Sequence, residues 1–199
     1  MTAGTSRRES FAERRERKAA IDDPAVVLEA AARFLEARSR SVAEVRRRLT
    51  GAGYRADLVE GAIDRMTELG MLDDDAFARA WVESRDRARP RGERAIRAEL
   101  GLKGVDRAVV DAVLAERRAG GLGGDARGDA ADTDELAPSP DRVAAGRLIA
   151  RHARALARVV DPRQRRQRAY ALLARNGFDP ETCREVAAGL DMDRESGPS

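Results

Sequence analysis

Apolar residues recur along this chain every three or four positions, and the recurrence stops and restarts at short intervals. Val26, Val27, Ala30, Ala31, Phe34 and Leu35 keep to one helical face. Val42, Val45 and Leu49 do so next, and Leu58, Val59, Ala62, Ile63, Met66 and Leu69 follow. Start signals agree with these breaks: Asp23-Pro24 reads as an N-cap followed by proline at the first helical position, and Ser41 with Glu44 reads as a capping box. The pattern predicts three short amphipathic helices over residues 23–70.

A second trio follows over 71–118. Asp73, Asp74 and Asp75 suit the positive end of a helix whose face carries Phe77, Ala80, Trp81 and Ser84. A basic loop around Pro90 and Gly92 leads to a helix with Ile96 and Leu100, and then to one with Val109, Val110, Val113 and Leu114. A third trio over 141–190 opens at Ser139-Pro140. Val143, Leu148, Ile149, Ala155, Leu156 and Val159 line its first helix, Asp161-Pro162 starts its second and Asp179-Pro180 its third.

One hexapeptide shape punctuates all three trios: LTGAGY at 49–54, LGLKGV at 100–105 and LARNGF at 173–178. Glycine is the usual residue just past a helix end, where the chain turns left-handed, and a Schellman stop brings together apolar residues four before and one after it. Leu49, Gly53 and Tyr54 fit that pattern, as do Leu100, Gly104 and Val105, and Leu173, Gly177 and Phe178. Gly53 and Gly104 are 51 residues apart and Gly104 and Gly177 are 73 apart; the excess of 22 matches the segment 119–140. The sequence therefore predicts an all-α protein of tandem three-helix repeats forming an elongated, curved array, because units this small must pack on neighbours to bury a core.

Composition adds the connecting parts. Residues 1–22 alternate in charge and read as a mobile or partly helical arm. Residues 119–140, rich in Gly, Ala and Asp, read as a flexible acidic linker, because such a segment buries too little apolar surface to order itself. Residues 191–199 read as a disordered tail. With 37% charged and 4% aromatic residues, the chain favours helix over strand.

Enzymatic constellations are scarce. The single histidine, His152, falls on the apolar side of its helix, and the single cysteine, Cys183, shares a stripe with Val186. Consecutive aspartates at 73–75 do not converge on a metal, and no phosphate-binding glycine loop is present. No enzyme, cofactor or metal is expected. The absence of a long apolar run and of a signal-peptide pattern predicts a cytoplasmic protein with no membrane segment.

The basic residues say more. Lys18 and Lys103 are the only lysines, so the positive charge is nearly all arginine, whose guanidinium suits phosphate and carboxylate. Arg147, Arg151, Arg154 and Arg158 form a stripe on one helix face, and residues 147–175 hold nine Arg against one acid, Asp161. A second basic run, 85–103, includes Arg89, Arg91, Arg94, Arg97 and Lys103, with Asp86, Glu93 and Glu99 among them. Arg46, Arg47 and Arg48 form a third, with Glu44 nearby. The first two are candidate anion-facing surfaces for phosphate backbone or an acidic protein groove. No aromatic interleaves the stripe at 147–158, so base stacking is not indicated and direct DNA contact would be weak, sequence-tolerant and salt-sensitive.

Taken together, Gly70-Met71-Leu72-Asp73-Asp74 with Phe77-Ala78, then Gly92, Ile96, Glu99-Leu100 and Lys103-Gly104-Val105, resemble the signature of the RecX family. Ser41, Glu44 and Leu49 resemble its first repeat, and Arg175-Asn176-Gly177-Phe178 its third. Met71 stands where the family usually has Tyr, Asn176 where it has Arg, and the acidic linker is long. The resemblance implies a non-enzymatic bacterial regulator, expected as a monomer, that binds the RecA recombinase and its filament on single-stranded DNA and inhibits ATP hydrolysis and strand exchange. The rival expectation is a stand-alone helical DNA-binding protein.

Overall fold

The computed structural model describes residues 10–120 and 138–195, the last five by their backbone alone. The core of the expected linker (121–137) and the chain ends (1–9 and 196–199) lie outside the described residues. Those that are described form ten helices and no strand: α1 (Phe11–Ala19), α2 (Pro24–Glu36), α3 (Val42–Ala52), α4 (Ala56–Glu68), α5 (Asp74–Ala88), α6 (Glu93–Lys103), α7 (Arg107–Arg118), α8 (Pro140–Ala157), α9 (Pro162–Arg175) and α10 (Pro180–Glu195). After α1 they fall into three trios, as the periodicity predicts.

Contacts divide the chain into two units. The first runs to Phe77 and includes Lys103–Val105; the second comprises 78–102 and everything from Asp106. In the first unit Val27, Ala31, Val45, Leu49, Tyr54, Val59, Ala62, Ile63, Met66 and Leu72 make one core. Two residues assigned inward by periodicity are exposed. Val26 precedes the buried stripe by one position, and Leu69 is the C-cap of α4, past its last packed turn.

The N-terminal segment contributes a helix of its own. Ser10 accepts from Glu13 N–H and the Glu13 carboxylate accepts from Ser10 N–H at 2.6 Å, a capping box that starts α1. None of the residues of α1 is buried.

In the second unit α5, α6 and α7 bury Ala78, Val82, Ile96, Leu100, Val110, Val113 and Leu114. Ala80 and Ser84, expected on the inner face of α5, are exposed; Ala78 and Val82 take that place and Trp81 is half-buried. The third trio packs Ala144, Ala145, Leu148, Ile149 and Leu156 of α8 against Ala169, Leu173, Phe178, Cys183 and Ala187. Ala155 and His152 are exposed, contrary to the expectation that both face inward; His152 Nδ1 lies 2.9 Å from Leu148 O, one turn back along the helix. Cys183 is buried.

The three hexapeptides are helix stops. Gly53, Gly104 and Gly177 have φ of 103°, 80° and 82°, the left-handed region that glycine enters without strain. In the first, Tyr54 N–H donates to Leu49 O (3.4 Å) and Gly53 N–H to Thr50 O (3.0 Å); in the third, Phe178 donates to Leu173 O (3.4 Å) and Gly177 to Ala174 O (3.1 Å). These are the paired bonds of a Schellman motif, and their apolar clasps are buried.

Each later stop also seats on the start of the preceding trio's second helix. In the first unit Ser41 Oγ–H donates to Lys103 O at 2.6 Å, and a Cβ on Gly104 would lie 2.4 Å from Ala43 Cβ. In the second unit Gly92 N–H donates to Asn176 O at 3.0 Å, and a Cβ on Gly177 would lie 2.4 Å from Ala95 Cβ. The carbonyl end of one helix thus meets the amide end of another, which pairs opposite dipole ends and satisfies groups both would leave orphaned.

Candidate anion-facing surface

Helix starts are tied down first. Ser41, fully buried, accepts from Glu44 N–H (3.1 Å), and Asp74 accepts from Val42 N–H (2.9 Å), so two free amides of α3 are satisfied. Burial pushes the Asp74 carboxyl above its ordinary value, with Val42 N–H opposing. Glu44 receives Lys103 Nζ (2.8 Å) and Arg38 Nη2 (3.1 Å). Burial would raise its carboxyl, but the two cations outweigh burial and hold it at about 2.

In the second unit Arg117 is 1% exposed, and its guanidinium is divided between two carboxylates. Nε and Nη2 reach Asp86 at 2.9 and 2.8 Å, and Nη1 reaches Asp141 at 2.5 Å. Asp141 also accepts from Glu93 N–H at 3.0 Å. One side chain of α7 therefore joins α5, α8 and the first turn of α6. Burial pushes Asp141 above the usual carboxylate range despite Arg117, which it shares with Asp86. Desolvation works against the Arg117 charge, but the hydrogen bonds with Asp86 and Asp141 prevail and the group is held cationic.

On this frame the nine candidate basic groups have different surroundings. Arg147 Nη1 donates to Asp86 O (3.2 Å), and Arg151 donates to Ala88 O (2.6 Å) and Arg87 O (3.3 Å). Both guanidinia thus lie at the carbonyl end of α5, where cations are favourable. Arg91 donates to Asn176 Oδ1 (2.6 Å), Arg97 is paired with Asp111 and with Glu93 (3.0 Å), and Lys103 is paired with Glu44. Arg154, Arg158, Arg89 and Arg94 are exposed, and their side chains form no hydrogen bond or ion pair among the described residues. The Arg46–Arg48 run is likewise divided: Arg46 forms a two-point pair with Glu60 (2.7 and 2.8 Å), Arg47 donates to Lys103 O (3.3 Å), and Arg48 lies over the Phe34 ring at 5.6 Å.

The turn from α8 to α9 and α9 itself carry further exposed groups that periodicity does not single out. Val160 is 91% exposed, Arg163 and Arg168 are exposed on α9, and Tyr170 is 36% exposed. Arg165 alone on this helix turns inward, donating to Val159 O at 3.3 Å. Nothing in sequence spacing distinguishes the buried Arg117, and Asn176 stands out only as the residue that departs from the family pattern. Among the described residues no group of three or more His, Cys, Asp or Glu is placed to hold a metal ion, and no helix is long and apolar enough to cross a membrane.

Two family models match the chain, one for the RecX first three-helix domain over residues 28–66 and one for the RecX second three-helix domain over 73–114. A regulatory protein RecX of Mycobacterium avium is 33% identical over 164 residues, covering 82% of this chain and 84% of that protein. One from Mycolicibacterium vanbaalenii is 44% identical over 88 residues, covering 44% of this chain and about half (48%) of that protein's length. The crystal structure of RecX from Lactobacillus salivarius superposes with a TM-score of 0.64 at 18% identity, covering 86% of this chain and 98% of that one, a likeness of fold.

Proposed function

The chain belongs to the RecX family of regulatory proteins, and from that premise we propose that it binds the RecA recombinase and its filament on single-stranded DNA and restrains ATP hydrolysis and strand exchange. It acts by stoichiometric occupation of the filament, with no catalytic step and no cofactor of its own. The observation that carries this reading is the α8–α9 surface: Arg154, Arg158, Arg163 and Arg168 are exposed, and the one acid across 147–175, Asp161, is engaged in capping α9. Unpaired guanidinia that spend no hydrogen bond on the fold are suited to phosphate or carboxylate. Arg89 and Arg94 offer the same chemistry on the second trio.

The test is the DNA-dependent ATPase of the cognate recombinase, measured against increasing amounts of this protein. Inhibition should reach its plateau at a fixed stoichiometric ratio, and Arg154→Ala with Arg158→Ala should raise the amount required. An ATPase unaffected at stoichiometric ratios, with salt-sensitive binding to DNA alone, would favour a stand-alone DNA-binding protein.

A further inference from the structure

The stops of the second and third trios each meet a helix start, with a donor on the carbonyl before the glycine and an alanine against the glycine itself. The first stop has the same shape and a different neighbour. A Cβ on Gly53 would lie 2.8 Å from Arg15 O and 2.9 Å from Arg15 Cα, so a middle turn of α1 covers the glycine. The matching carbonyl, Ala52 O, receives no donor among the described residues, whereas Lys103 O receives Ser41 Oγ and Arg47 Nη2 and Asn176 O receives Gly92 N–H. The cover is lightly held: α1 buries none of its residues, and Lys18 lies over the Tyr54 ring at 4.8 Å.

We propose that α1 is a displaceable cover, and that Ala52–Gly53–Tyr54 beneath it is a docking site for the N-terminus of a helix in another protein. The chemistry of that helix follows from the two occupied stops. It carries a free N–H or a cap hydroxyl to reach Ala52 O, as Gly92 and Ser41 do for Asn176 and Lys103. It has a short residue in its first turn, as Ala95 and Ala43 are, because any larger side chain meets the Gly53 backbone. The start Ser-x-Ala-Glu, found here at 41–44, satisfies all of these conditions. The inference rests on the repeat geometry alone and stands or falls separately from the reading of the arginine surface.

The experiment uses the full chain and a fluorescent, side-chain-stapled helical peptide of the sequence 40–52. Arg14→Pro interrupts α1, and Lys18→Ala removes its contact with Tyr54 while leaving the helix intact. Binding followed by anisotropy should be at least tenfold tighter for Arg14→Pro than for the unsubstituted chain, with Lys18→Ala between them. A peptide with leucine in place of Ala43 should not bind. Equal binding by all three proteins would overturn the role of α1 as a cover, and binding by none of them would overturn the docking site. Equal binding of the leucine peptide would overturn the docking geometry.

Discussion

Ser41 Oγ serves two helices at once: it accepts from Glu44 N–H at 3.1 Å and donates to the carbonyl oxygen of Lys103 at 2.6 Å. The same hydroxyl caps the start of α3 and receives the end of α6.

Replacing Ser41 by alanine removes the cap and leaves the Lys103 carbonyl with Arg47 Nη2, at 3.3 Å, as its remaining side-chain donor. A lost cap costs about 1 kcal/mol and a lost hydrogen bond roughly 0.5–1.5 kcal/mol. Ser41→Ala should therefore lower the urea midpoint by the equivalent of about 1.5–2.5 kcal/mol with the slope unchanged, whereas Ser41→Thr should retain most of the stability if its methyl group is accommodated. A loss under 0.5 kcal/mol, roughly what a surface substitution costs, would show that Arg47 alone satisfies the carbonyl.

Four glycines separate backbone strain from close approach. Gly70 has a positive φ of 68° with nothing within 4 Å of a would-be Cβ, whereas Gly104 and Gly177 combine positive φ with an alanine at 2.4 Å. Gly70→Ala should cost about 1–2 kcal/mol from the left-handed backbone alone. Gly104→Ala and Gly177→Ala should each cost that plus roughly 1–3 kcal/mol of overpacking. Gly92→Ala, with ordinary φ but a Cβ 2.3 Å from Gly177 O, should show the close-approach cost alone. Thermal unfolding of the four variants ranks them.

Arg117→Met leaves Asp86 and Asp141, both part-buried, without their cation. Breaking a buried ion pair from one side costs roughly 3–5 kcal/mol. Adding Asp86→Asn and Asp141→Asn to Arg117→Met should recover part of that loss, because the uncompensated carboxylates are then gone. A denaturation cycle over these variants checks it; no recovery would mean that packing, not charge, dominates the site.

The carboxyl of Glu44 sits at about 2, below its ordinary 4.5, because Lys103 and Arg38 outweigh its burial. A depressed carboxylate contributes stability that is complete above pH 4.5 and is lost as pH falls towards 2. At 1.36 kcal/mol per unit the contribution is at most ~3 kcal/mol. Glu44→Gln should therefore be less stable than the unsubstituted chain at pH 7, and the gap should close progressively below pH 4.5. A gap that stays constant with pH would assign the effect to capping instead.

The arginines divide by their partners. Arg147→Ala and Arg151→Ala should lower stability by roughly 0.5–1.5 kcal/mol each, the usual net worth of a hydrogen bond, through the exposed carbonyls of α5. Arg154→Ala with Arg158→Ala should leave the melting temperature unchanged and weaken binding to a recombinase filament. If those two residues meet phosphates of a single strand, the slope of log affinity against log salt should fall by about 1.4. Equal effects of the two pairs on stability and on binding would remove the distinction.

Much of this arrangement is legible from spacing. Leu49, Gly53 and Tyr54 announce a helix stop because the Schellman geometry fixes which positions touch, and Asp23-Pro24, Ser41 and Asp161-Pro162 cap the helices they introduce. Periodicity is weaker at the margins of a face: Val26 and Ala155 each lie about one position off the packed stripe, and a rotation of 100° turns a buried residue outward. The candidate surface is legible only as a composition. Arg147 and Arg154 look alike in the sequence, and they differ because α5 ends beside one and not the other. Nor does spacing show that Gly92 is a point of close approach, since its neighbours across the gap, Gly177 and Phe178, stand more than 80 residues away in the chain.

The way the stops seat has a consequence for how such chains can change in length. Ser41 and Gly53 are 12 positions apart, and so are Gly92 and Gly104. In the first unit α3 presents a receiving end at Ser41 and a closing end at Gly53, so adding or deleting one residue between them would swing one end by about 100° and shift it by about 1.5 Å relative to the other. Exposed side chains in the middle of such a helix are free to drift, while its residue count behaves as a gauge. Such a gauge leaves room for added residues between trios, where the 22-residue excess of this chain, 119–140, falls.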